Sequence, residues 1–200
     1  METIKIVYVD DKHDSYLEKY LSTVSVPNDN VSVLYDEVVF NSSKRYEDFL
    51  QDEKITSANI IYFDSYLFEN DSVEGSKITG EEMIMVVKKR YPFIKTFLIT
   101  QNDLDDKIDY IRKYRSRLDG DDSKSFYDKE LYPSFENAVK QIITYRESVK
   151  KFNENSSWES VLKEKVNNSL NGDDRYSDLT KEDIDELVRI LQGVQDELDV

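Results

Sequence analysis

The sequence predicts an α/β protein: a doubly wound, five-stranded parallel sheet followed by a helical C-terminal extension. Two observations predict it. Short apolar, β-branched runs alternate five times with segments whose apolar residues recur at helical spacing, the pattern of a parallel sheet with helices on both faces. The apolar runs also end on polar residues, Asp10-Asp11, Asp64 and Thr100 among them, where a doubly wound sheet opens its ligand crevice.

The first run, Ile4 to Val9, stops at Asp10-Asp11 and predicts a buried strand. Tyr16, Leu17, Tyr20 and Leu21 then fall at helical spacing within a helix from about His13 to Val24. Pro27-Asn28-Asp29-Asn30 is turn chemistry, and Val31 to Val39 is a second strand. Ser42-Ser43 can cap a helix carrying Tyr46, Phe49 and Leu50. Asn59 to Phe63 is the third strand, closed by Asp64. A polar stretch from Glu69 to Thr79 precedes a helix over 80–90 that Pro92 stops. Phe93 to Thr100 is the fourth strand, and Leu104, Ile108 and Ile111 predict a helix over 103–118. Ser125 to Asp128 then reads as a short fifth strand closed by Lys129, before Pro133 opens a last helix with Phe135, Val139, Ile142 and Ile143.

Composition narrows the function classes. The absence of cysteine excludes disulfides and thiolate metal sites and fits a reducing compartment. No apolar run is long enough to span a membrane, and METIKIVYVDD lacks the basic start of a signal peptide, so a cytoplasmic location is expected. A net charge of −15 disfavours non-specific nucleic-acid binding. The basic runs Lys88-Lys89-Arg90 and Arg112 to Arg117 read as solvated helix faces.

The chemistry lies at the strand ends. Asp10, Asp11, Asp64, Thr100 and Lys129 each close an apolar run, so the predicted topology gathers them at one rim. Three neighbouring carboxylates repel unless something positive sits among them. Mg2+ meets that need, because it takes oxygen ligands and offsets the charge of an incoming phosphoryl group. A threonine hydroxyl and a lysine ammonium then suit phosphoryl oxygens. The set matches a carboxylate nucleophile in phosphoryl transfer.

These pieces, IVYVDD, IIYFD, GEEMIMVVKKRYP, FLIT and FYDKE, resemble the receiver domains of bacterial response regulators, over about residues 3 to 150. The resemblance implies a flavodoxin-like receiver fold and a two-component phosphorelay role. A histidine kinase or phosphotransfer protein would donate a phosphoryl group to Asp64, and the output would be contact with a downstream protein target. By position it implies Asp11 and Asp64 as Mg2+ ligands, with Asp10 acting mainly through water and the Tyr66 backbone carbonyl as a further ligand. It implies Thr100 and Lys129 as phosphoryl-binding residues, and Phe126, three before that lysine, as the aromatic switch. The departures are a long acidic insertion with Glu69, Asp71 and Glu74, a bulky Gln101 after the threonine, and Glu130 where a proline commonly follows the lysine. They leave open a phosphorylation-independent pseudo-receiver acting as an interaction module.

An enzyme of the haloacid-dehalogenase class is the nearest catalytic alternative. It needs an acid two residues after its nucleophile, and Tyr66 and Lys12 stand at those places. A non-enzymatic switch is therefore expected. The sole histidine, His13, cannot build a histidine metal site.

Residues 154–200 are expected as a separate extension of two short helices after a receiver-like unit over 1–153. Trp158, Val161, Leu162, Val166 and Leu170 share one helical face, and Ile184, Leu187, Leu191, Val194 and Leu198 another. With 13 acidic residues against five basic ones, the extension does not suit DNA binding. Its apolar faces would bury against the receiver or each other, or serve in docking or a homodimer.

Overall fold

The computed structural model describes residues 1–40, 46–67, 79–102, 110–120, 122–154, 163–164 and 166–168. The acidic insertion at Glu69, Asp71 and Glu74, the Ser42-Ser43 cap and nearly all of the C-terminal extension lie outside them.

Five parallel strands form one sheet in the order β2-β1-β3-β4-β5. They are β1 (Glu2–Asp10), β2 (Val31–Val39), β3 (Ile60–Asp64), β4 (Lys95–Thr100) and β5 (Ile111–Arg112). The order reverses between β1 and β3, which pair from Ile6↔Ile60 to Val9↔Phe63. That reversal places a crevice beyond the carboxyl ends of these two strands. The fold class is the one the sequence predicts.

The central strands are buried on both faces, which is why they read as unbroken apolar runs. Alternate residues sort into two cores. Ile4, Ile6, Tyr8, Ile60 and Tyr62 pack with Leu17 and Leu21 of α1 (Ser15–Leu21), with Phe126 and Tyr127 of α5 (Ser123–Glu130), and with Phe135 and Val139 of α6 (Tyr132–Glu154). Val7, Val9, Ile61 and Phe63 pack with Phe49 and Leu50 of α2 (Tyr46–Leu50), Ile55 of α3 (Glu53–Thr56), and Met83 and Val87 of α4 (Gly80–Arg90).

The helix ends follow local chemistry. Asp14 caps α1 by accepting from Tyr16 N–H and Leu17 N–H. Thr79 and Glu82 form a reciprocal capping box on α4. Gly80, at the start of that helix, lies against the strand end, and a Cβ there would meet the Asp64 carbonyl oxygen at 2.2 Å. Its amide donates to the Ser65 carbonyl at 3.2 Å. Only a residue without a side chain lets the helix approach this closely.

The fifth strand corrects the sequence reading. Ser125 to Asp128 is helical, within α5. Asp122 caps this helix, accepting from Lys124 N–H and Ser125 N–H, and Lys124 pairs with Asp128 one turn on at 2.8 Å. The edge strand is instead Ile111–Arg112, inside the segment read as a helix over 103–118. It pairs with β4 through Ile99↔Ile111 and Thr100↔Arg112.

Candidate functional site

β1, β3 and β4 end on Asp10, Asp64 and Thr100, all buried. The chain leaving β5 delivers Lys113, also buried, to the same rim. Its backbone amide donates to the Thr100 carbonyl at 2.7 Å and fixes it there. These residues, with Asp11 and Tyr66, line a cleft of about 670 Å³.

Lys113 is the centre of the arrangement. Its Nζ lies 2.7 Å from Asp10 Oδ2 and 2.6 Å from Asp64 Oδ1. Asp64 Oδ2 accepts from the Tyr66 backbone amide at 2.8 Å. Asp10 Oδ1 accepts from Lys12 N–H at 3.1 Å, and its Oδ2 accepts from the Tyr8 hydroxyl as well as from Lys113. At the other wall, the Ser65 hydroxyl donates to Thr100 Oγ1 at 2.7 Å, and Asn102 N–H donates to the same oxygen at 3.1 Å.

Burial and charge oppose each other here. Burial pushes the Asp64 carboxyl above its ordinary range; Lys113 works against that rise, and Asp10 adds to it. Burial alone would also lower the Lys113 ammonium. The two carboxylates outweigh it, so this lysine is held charged more firmly than in water. Burial also raises the Tyr8 phenol, with Asp10 next in effect, so Tyr8 is a neutral hydrogen-bond donor.

Of the residues read from sequence, Asp10, Asp11, Asp64, Tyr66 and Thr100 meet in the cleft, and Lys129 and Phe126 do not line it. Lys129 is exposed on α5. Phe126 is buried in the same helix, edge-on to Tyr114 and under the Arg112 guanidinium, whose carbon lies 4.9 Å from the ring centre. Gln101 is exposed and lines the cleft. His13 is also at the cleft, bonded to Glu37 and Glu18. The basic run 112–117 is not a helix face: it holds the edge strand, Lys113 and Arg115, whose guanidinium donates to the Gln101 carbonyl at 3.4 Å.

Sequence reasoning missed Lys113, Ser65 and Tyr8. The length from Thr100 to Lys129 was a signal against Lys129, and the Asp122 to Ser125 spacing was a capping signal.

The oxygen donors of Asp11, Asp64 and the Tyr66 carbonyl have the chemistry Mg2+ prefers. They are not drawn into a ready cage. Among the described residues, no three His, Asp or Glu side chains converge closely enough to hold a metal. The Lys113 ammonium stands between Asp10 and Asp64 instead.

A second cavity, of about 460 Å³, is lined by Lys5, Asn59, Tyr91, Tyr145 and Arg146 and includes none of the strand-end acids. Among the described residues, no helix is long and apolar enough to cross a membrane.

Searches with the sequence match no protein-family profile and no curated protein. Among solved structures, the chain is similar to a two component transcriptional regulator AraC from Clostridium phytofermentans ISDg. The two share 13% identity with a TM-score of 0.40, over 72% of this chain and 98% of the other. The strand order and the site geometry, not that likeness, carry the functional reading.

Proposed function

We propose that this chain is a signalling receiver in which Asp64 accepts a phosphoryl group and the change of charge at the cleft alters a protein–protein contact. The observation that carries the reading is the bridging of Asp64 and Asp10 by a single buried ammonium, Lys113, with the Thr100 hydroxyl group on the adjoining strand.

A carboxylate oxygen of Asp64 attacks the phosphorus of a phosphohistidine or acyl-phosphate donor. The new bond is an acyl phosphate, and the bond from phosphorus to the donor's nitrogen or oxygen breaks. Lys113 keeps its pairing to a carboxyl oxygen or passes to a phosphoryl oxygen, and Thr100 offers its hydroxyl to another. Asp11, Asp64 and the Tyr66 carbonyl would hold Mg2+, with Asp10 acting through water; the ion supplies positive charge against the phosphoryl oxygens. Lys113 thus takes the role expected of Lys129. By the same spacing of three residues, half-buried Tyr110 takes the switch position expected of Phe126. The partners are a histidine kinase or phosphotransfer protein and a downstream protein target. The new negative charge shifts an existing equilibrium between two arrangements of the cleft wall.

Intact mass after incubation with acetyl phosphate and Mg2+ tests the reading. One phosphoryl adduct on the wild type, absent from Asp64→Asn, supports it. Absence of the adduct from a folded wild type removes it for small donors.

One observation favours a second reading, a phosphorylation-independent interaction module. Lys113 already pairs with both Asp10 and Asp64, so the two carboxylates share a cation without metal or phosphate. A partner that binds wild type and Asp64→Asn equally would select this reading.

A further inference from the structure

We propose that Tyr8 is a positioning residue that clamps Asp10 onto Lys113 and so weakens the hold of the cleft acids on a divalent cation. The inference rests on the reading of the site given above.

Tyr8 lies fully buried on β1, two residues before Asp10 and so on the same face of the strand. Its hydroxyl donates to Asp10 Oδ2, the oxygen that also receives Lys113 Nζ. The Lys113 ammonium lies 5.3 Å from the centre of the Tyr8 ring, so one side chain touches both members of the pair. Lys12 N–H occupies Oδ1, which gives Asp10 three donors over its two oxygens. A carboxylate engaged in this way has about one of its four lone-pair positions left for a metal ion or its water.

Partners one step removed from a metal ligand commonly orient it toward the ion and strengthen it. Tyr8 does the reverse, because it orients Asp10 toward a competing cation. The absence of a three-carboxylate cage among the described residues agrees with this. Cation entry must be met by Asp11, Asp64 and the Tyr66 carbonyl, or must break the Tyr8 bond.

Tyr8→Phe deletes the donor and keeps the ring that fills the core. Titration calorimetry with Mg2+ on the full chain, in parallel with thermal melting, reads the effect. The expected result is roughly ten- to hundredfold tighter Mg2+ binding, the worth of one hydrogen bond to a charged acceptor. A role only in packing would lower the melting temperature and leave affinity unchanged or weaker. Tyr8→Leu, which also lacks the hydroxyl, must shift affinity in the same direction. Binding by the variants but not by the wild type supports the clamp in its strongest form. Wild-type binding with unchanged or weaker binding in the variants overturns the clamp and leaves the Mg2+ reading standing. Binding by none of them removes the Mg2+ reading, and the clamp with it.

Discussion

The ammonium of Lys113 lies 2.6 Å from Oδ1 of Asp64, with 7% and 11% of the two side chains exposed. A pair this buried is held at the cost of desolvating both groups. It persists because Asp10 supplies a second negative partner and the Tyr66 amide and Tyr8 hydroxyl meet the remaining lone pairs.

Lys113→Met keeps the aliphatic stem and removes the charge, leaving Asp10 and Asp64 facing each other without a cation. The expected loss is about 3 to 5 kcal/mol, the cost of breaking a buried pair. Mg2+ should recover part of it, so the rise in Tm on adding Mg2+ should be larger for this variant than for wild type. Lys129→Ala, on the exposed face of α5, should stay within about 0.5 kcal/mol of wild type and take up phosphoryl group normally. Urea denaturation of both variants checks the pair. Comparable losses would mean that Lys113 is not the central cation.

Ser65→Ala removes the donor to Thr100 Oγ1 and leaves only the Asn102 amide on that oxygen. A buried neutral hydrogen bond contributes about 1 kcal/mol, and the variant should lose about that much in denaturant melts. If Thr100 must turn toward a phosphoryl oxygen, the loss should shrink in the phosphorylated protein, because the wild type has then given up the bond as well. An equal loss in both states would show that Thr100 does not turn.

Much of this architecture was legible in the sequence. β2 and α4 were read at their observed bounds, and β1, β3 and β4 were placed within two residues at either end. The central strands β1 and β3 are buried on both faces, so their runs were unbroken. β5 was not legible, because an edge strand of two residues carries no periodicity. Leu104, Ile108 and Ile111 fall at helical spacing, though of the three only Ile111 lies among the described residues, and FYDK imitates a strand ending on lysine. The acids of the site were found because each one interrupts an apolar run at its strand end. Lys113 was hidden in a run of basic residues that resembled a solvated surface, and Tyr8 among core residues where a hydroxyl has no visible signature.

Asp122 sets an acid limit on α5. Its carboxyl is held below the ordinary aspartate range, chiefly by the Ser125 hydroxyl and then by the Ser125 and Lys124 amides. A depressed folded pKa gives stability that is fully present above the unfolded value of about 3.9 and is lost as pH falls through the folded one. Asp122→Asn keeps a side-chain acceptor for the helix cap without a titrating group. Its melting temperature should fall less steeply than that of wild type below about pH 4. Parallel slopes in melts across that range would show that this carboxyl does not contribute to the acid limb.

Gly80 couples α4 to Asp64 itself. A methyl group at that position would sit 2.2 Å from the Asp64 carbonyl oxygen and 2.9 Å from Leu98 Cδ1. The leucine end can turn aside, but the backbone carbonyl cannot move without shifting Asp64 and breaking the 3.2 Å bond from Gly80 N–H to Ser65. Overpacking of this kind costs about 1 to 3 kcal/mol. Gly80→Ala should therefore be less stable than wild type and should also accept phosphoryl group from acetyl phosphate more slowly, since Asp64 is displaced from Lys113. Met85, 72% exposed on the same helix, serves as the control: Met85→Ala should change neither property. A Gly80→Ala variant that loses stability yet phosphorylates at the wild-type rate would place the helix contact in the scaffold alone, with no bearing on how Asp64 is presented.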